Sequence, residues 1–345
     1  MRHEMELDAR SLRSGAENIV RRFLCVEPGE KVGLLSWNAD PLRSVVAAAV
    51  AEAGAEPVAI DTDDLLAASQ PRATAALSTR LARCTTSVLL AEHGIPPALS
   101  MAVLDVAARM QLRHLHLTRI DPRLFGQSYR ADPERIAQIN QRLIAQLEGA
   151  RTVEVTSASG TELKVRLDAR HPLLACDGRP APGRPDNLPS GAVHVHPASV
   201  DGIFVADRGA IGAVRPDPAM LRRHPLRFHF SAGRAERVES DSAALLEVVE
   251  DYRGRHEHAM RVGSVAFPTN YVIRSESGLE VQDALLPGLN VNLGYSNAEA
   301  TNAPYRCPIQ LRLFGRRMDV RAGSVPLVEG GRLTDALVGE IDPFR

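Results

Sequence analysis

Three pairs of histidines stand two residues apart in this chain: His114 and His116, His194 and His196, His256 and His258. On a β-strand, residues i and i+2 project from the same face, so each pair could offer two imidazoles to one ion. A protein-held metal needs further donors, and no third ligand is fixed by spacing; at His194 and His196 one of Asp201, Glu257 or His258 would have to complete the site. A second concentration of chemistry runs from Asn290 to Asn302, where Asn290, Asn292, Asn297 and Asn302 accompany Tyr295 and Glu299. Side-chain amides both donate and accept without carrying charge, which suits amide or carbonyl groups of a ligand better than a cation. The same residue type also caps turns. Cys307 follows this stretch; it could be a nucleophile or a small buried hydrophobe.

The elements that carry these residues divide in two. Up to about residue 150, helical and strand patterns alternate: helices over 9–23, 41–53 and 97–110, and buried strands over 31–37, 57–60, 87–91 and 112–117. That alternation predicts a parallel, Rossmann-like sheet covered by helices. No G-x-G-x-x-G or G-x-x-x-x-G-K-[ST] follows any of the strands, so the architecture brings no nucleotide with it. A long helix over 133–147 links the halves. Beyond 151 the pattern changes to short strands at 152–156, 162–167, 193–196, 202–206, 226–230, 261–267, 289–293 and 309–313, with one helix over 242–252, which predicts an α+β domain rich in antiparallel pairing. The Pro- and Gly-rich stretch 177–189 reads as a long ordered loop or lid. The expected domains are therefore 1–150 and 151–345, the second holding the cleft.

Composition narrows the function. The chain has 345 residues, enough for two cores, and a net charge of −1, which supplies no field to gather nucleic acid or an anionic membrane. The short basic runs Arg222-Arg223 and Arg316-Arg317 read as solvated faces. No stretch is apolar enough to cross a bilayer, and residues 1–14 have no secretory pattern, so a soluble cytoplasmic protein is expected. Four dispersed cysteines, Cys25, Cys84, Cys176 and Cys307, form no C-x-x-C motif and are expected to be reduced.

The phrase Pro189-Ser190-Gly191-Ala192-Val193, with Pro28-Gly29-Glu30-Lys31-Val32 and Glu52-Ala53-Gly54-Ala55 upstream, resembles the aminopeptidase T-type leucyl aminopeptidase family. That group includes the 2,5-dihydroxypyridine 5,6-dioxygenase branch. The resemblance spans nearly the whole chain and implies a two-domain, dimeric metallopeptidase scaffold whose carboxylates and histidines hold a metal pair. At the matching positions those ligands are absent. The glutamate after Pro-Ser-Gly falls on Ala192, a second glutamate on Ser264, and a histidine near Asn290. The His-x-Asp pair falls on Pro308 and Gln310, or in another register on Arg317 and Asp319. For the dioxygenase, the first histidine falls near Asn270 or Tyr271 and the others again on Pro308 and Gln310.

Alanine, serine and proline cannot stand in for carboxylate or imidazole donors. The expectation is accordingly a metal-independent member with no cofactor that binds, and transforms, a peptide or amino-acid-derived small molecule. Its expected catalytic candidates are Tyr271, Glu299 and Cys307. Ser264, Asn270, Asn290, Asn292, Asn297, Asn302 and Gln310 are expected to bind substrate. A tailoring or cyclisation step in peptide natural-product biosynthesis is the expected role. The alternatives are a non-catalytic peptide-binding protein and a metalloenzyme rebuilt on His194 and His196.

Overall fold

The computed structural model describes residues 9–214 and 216–341. The reading of the N-terminus as free of a secretory pattern falls partly on residues 1–8, which lie outside the described residues.

The chain forms two compact units, residues 1–133 with 178–190, and residues 134–177 with 191–345. The first unit holds helix α1 (Ala9–Asn18), continued by a π-type turn (Ile19–Phe23), then β1 (Lys31–Trp37), α2 (Asp40–Glu52), β2 (Glu56–Ile60), α3 (Gln70–Arg80), β3 (Thr86–Ala91), α4 (Pro97–Arg109) and β4 (Arg113–Thr118). The strands pair in parallel in the order β2-β1-β3-β4. Their near-continuous apolar runs follow from burial on both faces: every residue of β3 is buried, as are Val32, Leu34 and Leu35 of β1. Helix α3 escapes the sequence reading because its Gln-Pro-Arg-Ala-Thr opening lacks apolar periodicity; only Ala73 and Leu77 of it are buried.

Residues 178–190 are not a free lid. Asp186 pairs with β4 in parallel, donating from its N–H to His114 O and accepting from His116 N–H (3.0 and 2.9 Å), and Gly183 N–H donates to Leu112 O. Backbone polar groups that could face water are here absorbed as an extra edge on β4. This excursion, and the grouping of the long helix with the second unit, are why the units are not simply 1–150 and 151–345.

The second unit begins with α5 (Pro133–Gly149) and β5 (Thr152–Ser157), β6 (Glu162–Arg166) and β7 (Leu174–Cys176). It continues with β8 (Ala192–Val195), β9 (Ser199–Ala206), β10 (Gly209–Gly212), β11 (Leu226–Ser231), β12 (Arg234–Glu239), α6 (Ala243–Gly254), β13 (Val262–Pro268), β14 (Asn290–Gly294), β15 (Gln310–Phe314), β16 (Met318–Ala322), β17 (Val325–Glu329) and β18 (Arg332–Leu333). Two sheets result, in the orders β10-β15-β14-β13-β8-β7 and β12-β11-β9-β6-β5-β16-β17-β18. Every paired register in them is antiparallel, as expected for the α+β half.

Candidate functional site

The six-stranded sheet has two unlike faces, and its register defines them. Ala266 pairs with His194 and with Asn290, Asn290 with Phe314, Ser264 with Asn292, and Asn292 with Arg312. Alternation then puts Ala192, His194 and His196, Ser264, Asn290 and Asn292, Gln310 and Arg312 on one face. The opposite face carries Val193, Val195, Val265, Phe267, Val291, Leu293, Leu311 and Leu313, all buried. Strands covered by core on both sides would be apolar on both; a face this polar and still this buried marks a site rather than a solvated surface.

Across that face the polar groups form a hydrogen-bonded series. The Arg312 Nε–H donates to Asn292 Oδ1 at 3.0 Å, and Asn292 Nδ2–H donates to Ser264 Oγ at 2.8 Å. Asn292 is 1% exposed. The serine oxygen thus accepts from the amide, and its own hydroxyl hydrogen is left to donate elsewhere. Asn290, buried beside it, donates Nδ2–H to Ala284 O at 2.7 Å while its Oδ1 has no hydrogen-bond partner among the described residues. Arg312 stands partly buried within a strand, and its desolvation lowers its pKa from the ordinary value. Arginine nonetheless keeps its charge across physiological pH, so the face carries a fixed cation.

His194 faces that cation. Burial, with Arg312 adding to it, pushes its pKa down to about 4, so it is neutral at pH 7. His196 is held by Gly263 O at 2.7 Å from Nδ1. A carbonyl can only accept, so Nδ1 carries the proton and Nε2 keeps the lone pair. The His196 ring meets His171 edge-on at 4.7 Å between centroids and Tyr305 at 6.0 Å; Tyr305 in turn meets His258 at 4.9 Å and lies beneath Arg261 at 5.3 Å. His171 donates to Thr301 O at 3.0 Å and lines a cavity of about 670 Å³ whose walls include Leu147, Arg151, Leu167 and Asp168.

The expected site residues separate into two groups. Ser264, Asn290, Asn292 and Gln310 share the polar face. Asn270 is fully buried in the loop after β13, its Oδ1 accepting from Val272 N at 3.3 Å, and Tyr271 beside it is 6% exposed. Asn297 and Asn302 flank the one-turn helix Ala298–Thr301 with positive φ of 50° and 57°, the left-handed conformation that asparagine tolerates. They occupy the two cap positions of that helix, and Asn302 Nδ2–H donates to Arg170 O at 3.0 Å. Glu299 is solvent-exposed and paired with Arg306 at 2.7 Å. Cys307 is buried, its thiol donates to Ile309 O at 3.5 Å, and burial raises its pKa, so it is held as a thiol. Neither Glu299 nor Cys307 joins the polar face.

Arg312 escapes the sequence reading, as do His171, Tyr305 and Arg261. For Arg312 a signal existed: a single charge amid alternating apolar residues in Gln310-Leu311-Arg312-Leu313-Phe314. For the aromatic cluster there was none, since its members lie far apart in the chain.

Ala192 packs in an apolar cluster with Ile273, Leu285 and Leu286, where a carboxylate would be desolvated without a partner. His194 and His196 share a face, as their spacing predicts, but among the described residues no three His, Cys, Asp or Glu side chains are grouped to hold a metal ion. A guanidinium stands two strands from Ser264 on the same face. Among the described residues this face offers two imidazoles and no carboxylate, a donor set short of what a divalent cation or a facial-triad iron takes.

Comparison with known proteins gives a fold and a partial family match. Residues 117–260 match the family model of 2,5-dihydroxypyridine 5,6-dioxygenase, NicX. Among solved structures, a 2,5-dihydroxypyridine dioxygenase from Pseudomonas putida superposes with a TM-score of 0.64 at 17% identity, covering 95% of this chain and 98% of that one. Wild-type AmpT from Thermus thermophilus superposes with a TM-score of 0.62 at 18% identity, covering 94% of this chain and 99% of that one. No curated protein matches the sequence. The chain has the aminopeptidase T-like fold, which the NicX branch shares. No described helix is long and apolar enough to cross a membrane.

Proposed function

We propose that this chain is a metal-independent, divergent member of the aminopeptidase T-like fold group that binds and transforms a peptide or amino-acid-derived small molecule on the polar face of its six-stranded sheet. The observation that carries the reading is the series Arg312–Asn292–Ser264, a cation oriented by an amide on a face with no carboxylate. A guanidinium held at Nε presents its remaining N–H groups as donors for a carboxylate or a developing oxyanion. The unpartnered Asn290 Oδ1 accepts an N–H of the ligand, and His196 Nε2 accepts a proton. Together these match a backbone-like unit: carbonyl or carboxylate at Arg312, N–H at Asn290, and an acid-base group beside them. A tailoring or cyclisation step on a peptide natural product is the role this set would serve, since such a step needs the peptide held without water being activated for hydrolysis.

The test is binding of a dipeptide and N-acetyl-amino-acid panel in chelator-treated buffer, compared with the same panel after addition of Zn²⁺, Mn²⁺ or Fe²⁺. The reading expects binding independent of metal and lost in Arg312→Gln. Peptide hydrolysis that appears only with added metal would overturn it.

One observation favours a second reading, a non-catalytic peptide-binding protein. Of the nucleophiles and carboxylates considered, Cys307 is a buried thiol and Glu299 is engaged at the surface. Retained affinity with no turnover in wild type and in Tyr271→Phe alike would select it.

A further inference from the structure

The second unit contains a concave region unlike the rest of this nearly neutral chain. A cavity of about 930 Å³ is lined by Arg208, Arg274, Arg316, Arg317 and Arg332, with Glu276 as its one acidic wall residue. Arg316 and Arg317 come from the turn between β15 and β16, and Arg332 opens β18 directly after the turn that follows β17. Those turns are fixed against each other. Gly331 has φ of 77°, and a Cβ there would lie 3.1 Å from Arg317 Cα; Gly331 N–H donates to Met318 O at 2.9 Å. The cavity lip is thus built by close backbone approach that only glycine permits.

Arg208 forms the inner wall. It is 7% exposed, its backbone N–H donates to Phe314 O at 3.2 Å, and its guanidinium lies 5.9 Å over the Phe314 ring. Its Nε has no hydrogen-bond partner among the described residues, and neither has Nε of Arg316. The acids close enough to act on Arg208 are Asp283, Glu276 and Asp207, and each also has other partners. Asp283 accepts from Ser277 N, Ser277 Oγ and Gly278 N; Asp207 accepts from Arg316 N; Glu276 pairs with Arg316 at 2.6 Å and Arg222 at 3.3 Å. Burial pushes Arg208 down to about 10, which still leaves it charged at pH 7. These carboxylates keep their charge and offset part of the Arg208 cation, but five guanidinium groups line the cavity against one carboxylate, so positive charge is in excess where an anion could enter.

We infer that this cavity is a binding site for a phosphorylated small molecule, gripped by Arg208 at its base and by Arg316, Arg317 and Arg332 at its rim. Several converging guanidinium forks supply more N–H donors than one carboxylate can accept, whereas a phosphate or diphosphate presents enough oxygens and charge. The volume lies in the range of small-molecule sites. Leu286 belongs both to the cavity wall and to the apolar cluster around Ala192, and Phe314 beneath Arg208 stands on the polar face. The site therefore adjoins the polar face but uses none of its groups, so it stands or falls separately from the proposed peptide chemistry.

The experiment is calorimetric titration of the full chain with inorganic diphosphate at constant ionic strength, with citrate and chloride as controls. One diphosphate per chain is expected, with affinity falling about tenfold or more in Arg208→Met, the scale of a lost charge-assisted contact. The exposed double variant Arg317→Gln, Arg332→Gln is expected to weaken binding while melting like wild type, and it decides the matter should Arg208→Met fail to fold. Diphosphate binding no stronger than chloride, or unchanged by the double variant, would overturn the inference. Citrate binding more tightly than diphosphate would overturn the assignment to phosphate.

Discussion

His114 and His116 in β4, and His194 and His196 in or beside β8, have the same spacing, and all but the half-buried His194 are buried, yet their ring nitrogens are used differently. In the first unit the pair closes a hydrogen-bonded chain: Ser87 Oγ meets His114 Nδ1 at 2.8 Å, His114 Nε2 meets His116 Nδ1 at 3.3 Å, and His116 Nε2 meets Ser100 Oγ at 3.0 Å. All four ring nitrogens are used, so the pair is a satisfied piece of core. In the second unit His196 uses only Nδ1, towards a carbonyl, and His194 faces a guanidinium rather than a partner serine. The two pairs differ in whether their ring nitrogens are spent within the fold, which spacing cannot reveal.

The comparison breaks most visibly in acid. Burial, with His116 adding to it, pushes His114 down to about 3; burial pushes His116 to about 4; burial and Arg312 push His194 to about 4. Each lies below the ordinary value near 6.5 of an unfolded histidine, so between these limits the unfolded chain binds more protons. Stability from these groups is full above about pH 6.5 and falls as pH drops towards 4. Roughly 2 kcal/mol per histidine is expected to be lost by pH 5, read by denaturant unfolding at pH 7 and pH 5. Stability unchanged over that range would mean the imidazoles are not neutral in the fold.

Next in size, His114→Ala is expected to cost about 2–4 kcal/mol, because it opens a cavity and strands Ser87 and His116, whereas His194→Ala is expected to cost less than about 1 kcal/mol and to weaken ligand binding. Equal costs would erase the distinction between the pairs. Ala192→Glu is expected to destabilise by roughly 2–3 kcal/mol, since it drives a carboxylate among Ile273, Leu285 and Leu286; a neutral or stabilising result accompanied by metal uptake would show that the old site survives. The smallest effect belongs to Glu299→Gln, an exposed ion pair worth at most about 1 kcal/mol, with ligand affinity unchanged.

Much of the fold was legible before the structure. The βα alternation gave the parallel sheet, and the short strands gave the antiparallel half, because the period of burial is written directly in the residues. Short strands such as β7, β10 and β16 to β18 were not legible: they have few residues, and pairing with a neighbouring strand, distant in sequence for β7 and β10, rather than apolar content makes them strands. Ser264, Asn290 and Gln310, traced through the resemblance, lie with Asn292 on one face of the six-stranded sheet. Asn297 and Asn302 stand apart from that face, at positive-φ positions beside a short helix, and a list of residue types cannot tell the two settings of asparagine apart. Arg312 was legible only as a single charge amid alternating apolar residues in Gln310-Leu311-Arg312-Leu313-Phe314; its bond to Asn292 depends on the strand register.

The most direct test of the central claim is metal analysis of untagged, chelator-free protein purified without added metal, run beside a His194→Ala, His196→Ala double variant. The account expects substoichiometric metal in both, with ligand affinity in wild type unaffected by chelator. One tightly held transition-metal ion per chain, lost in the double variant, would contradict it and make His194 and His196 ligands after all.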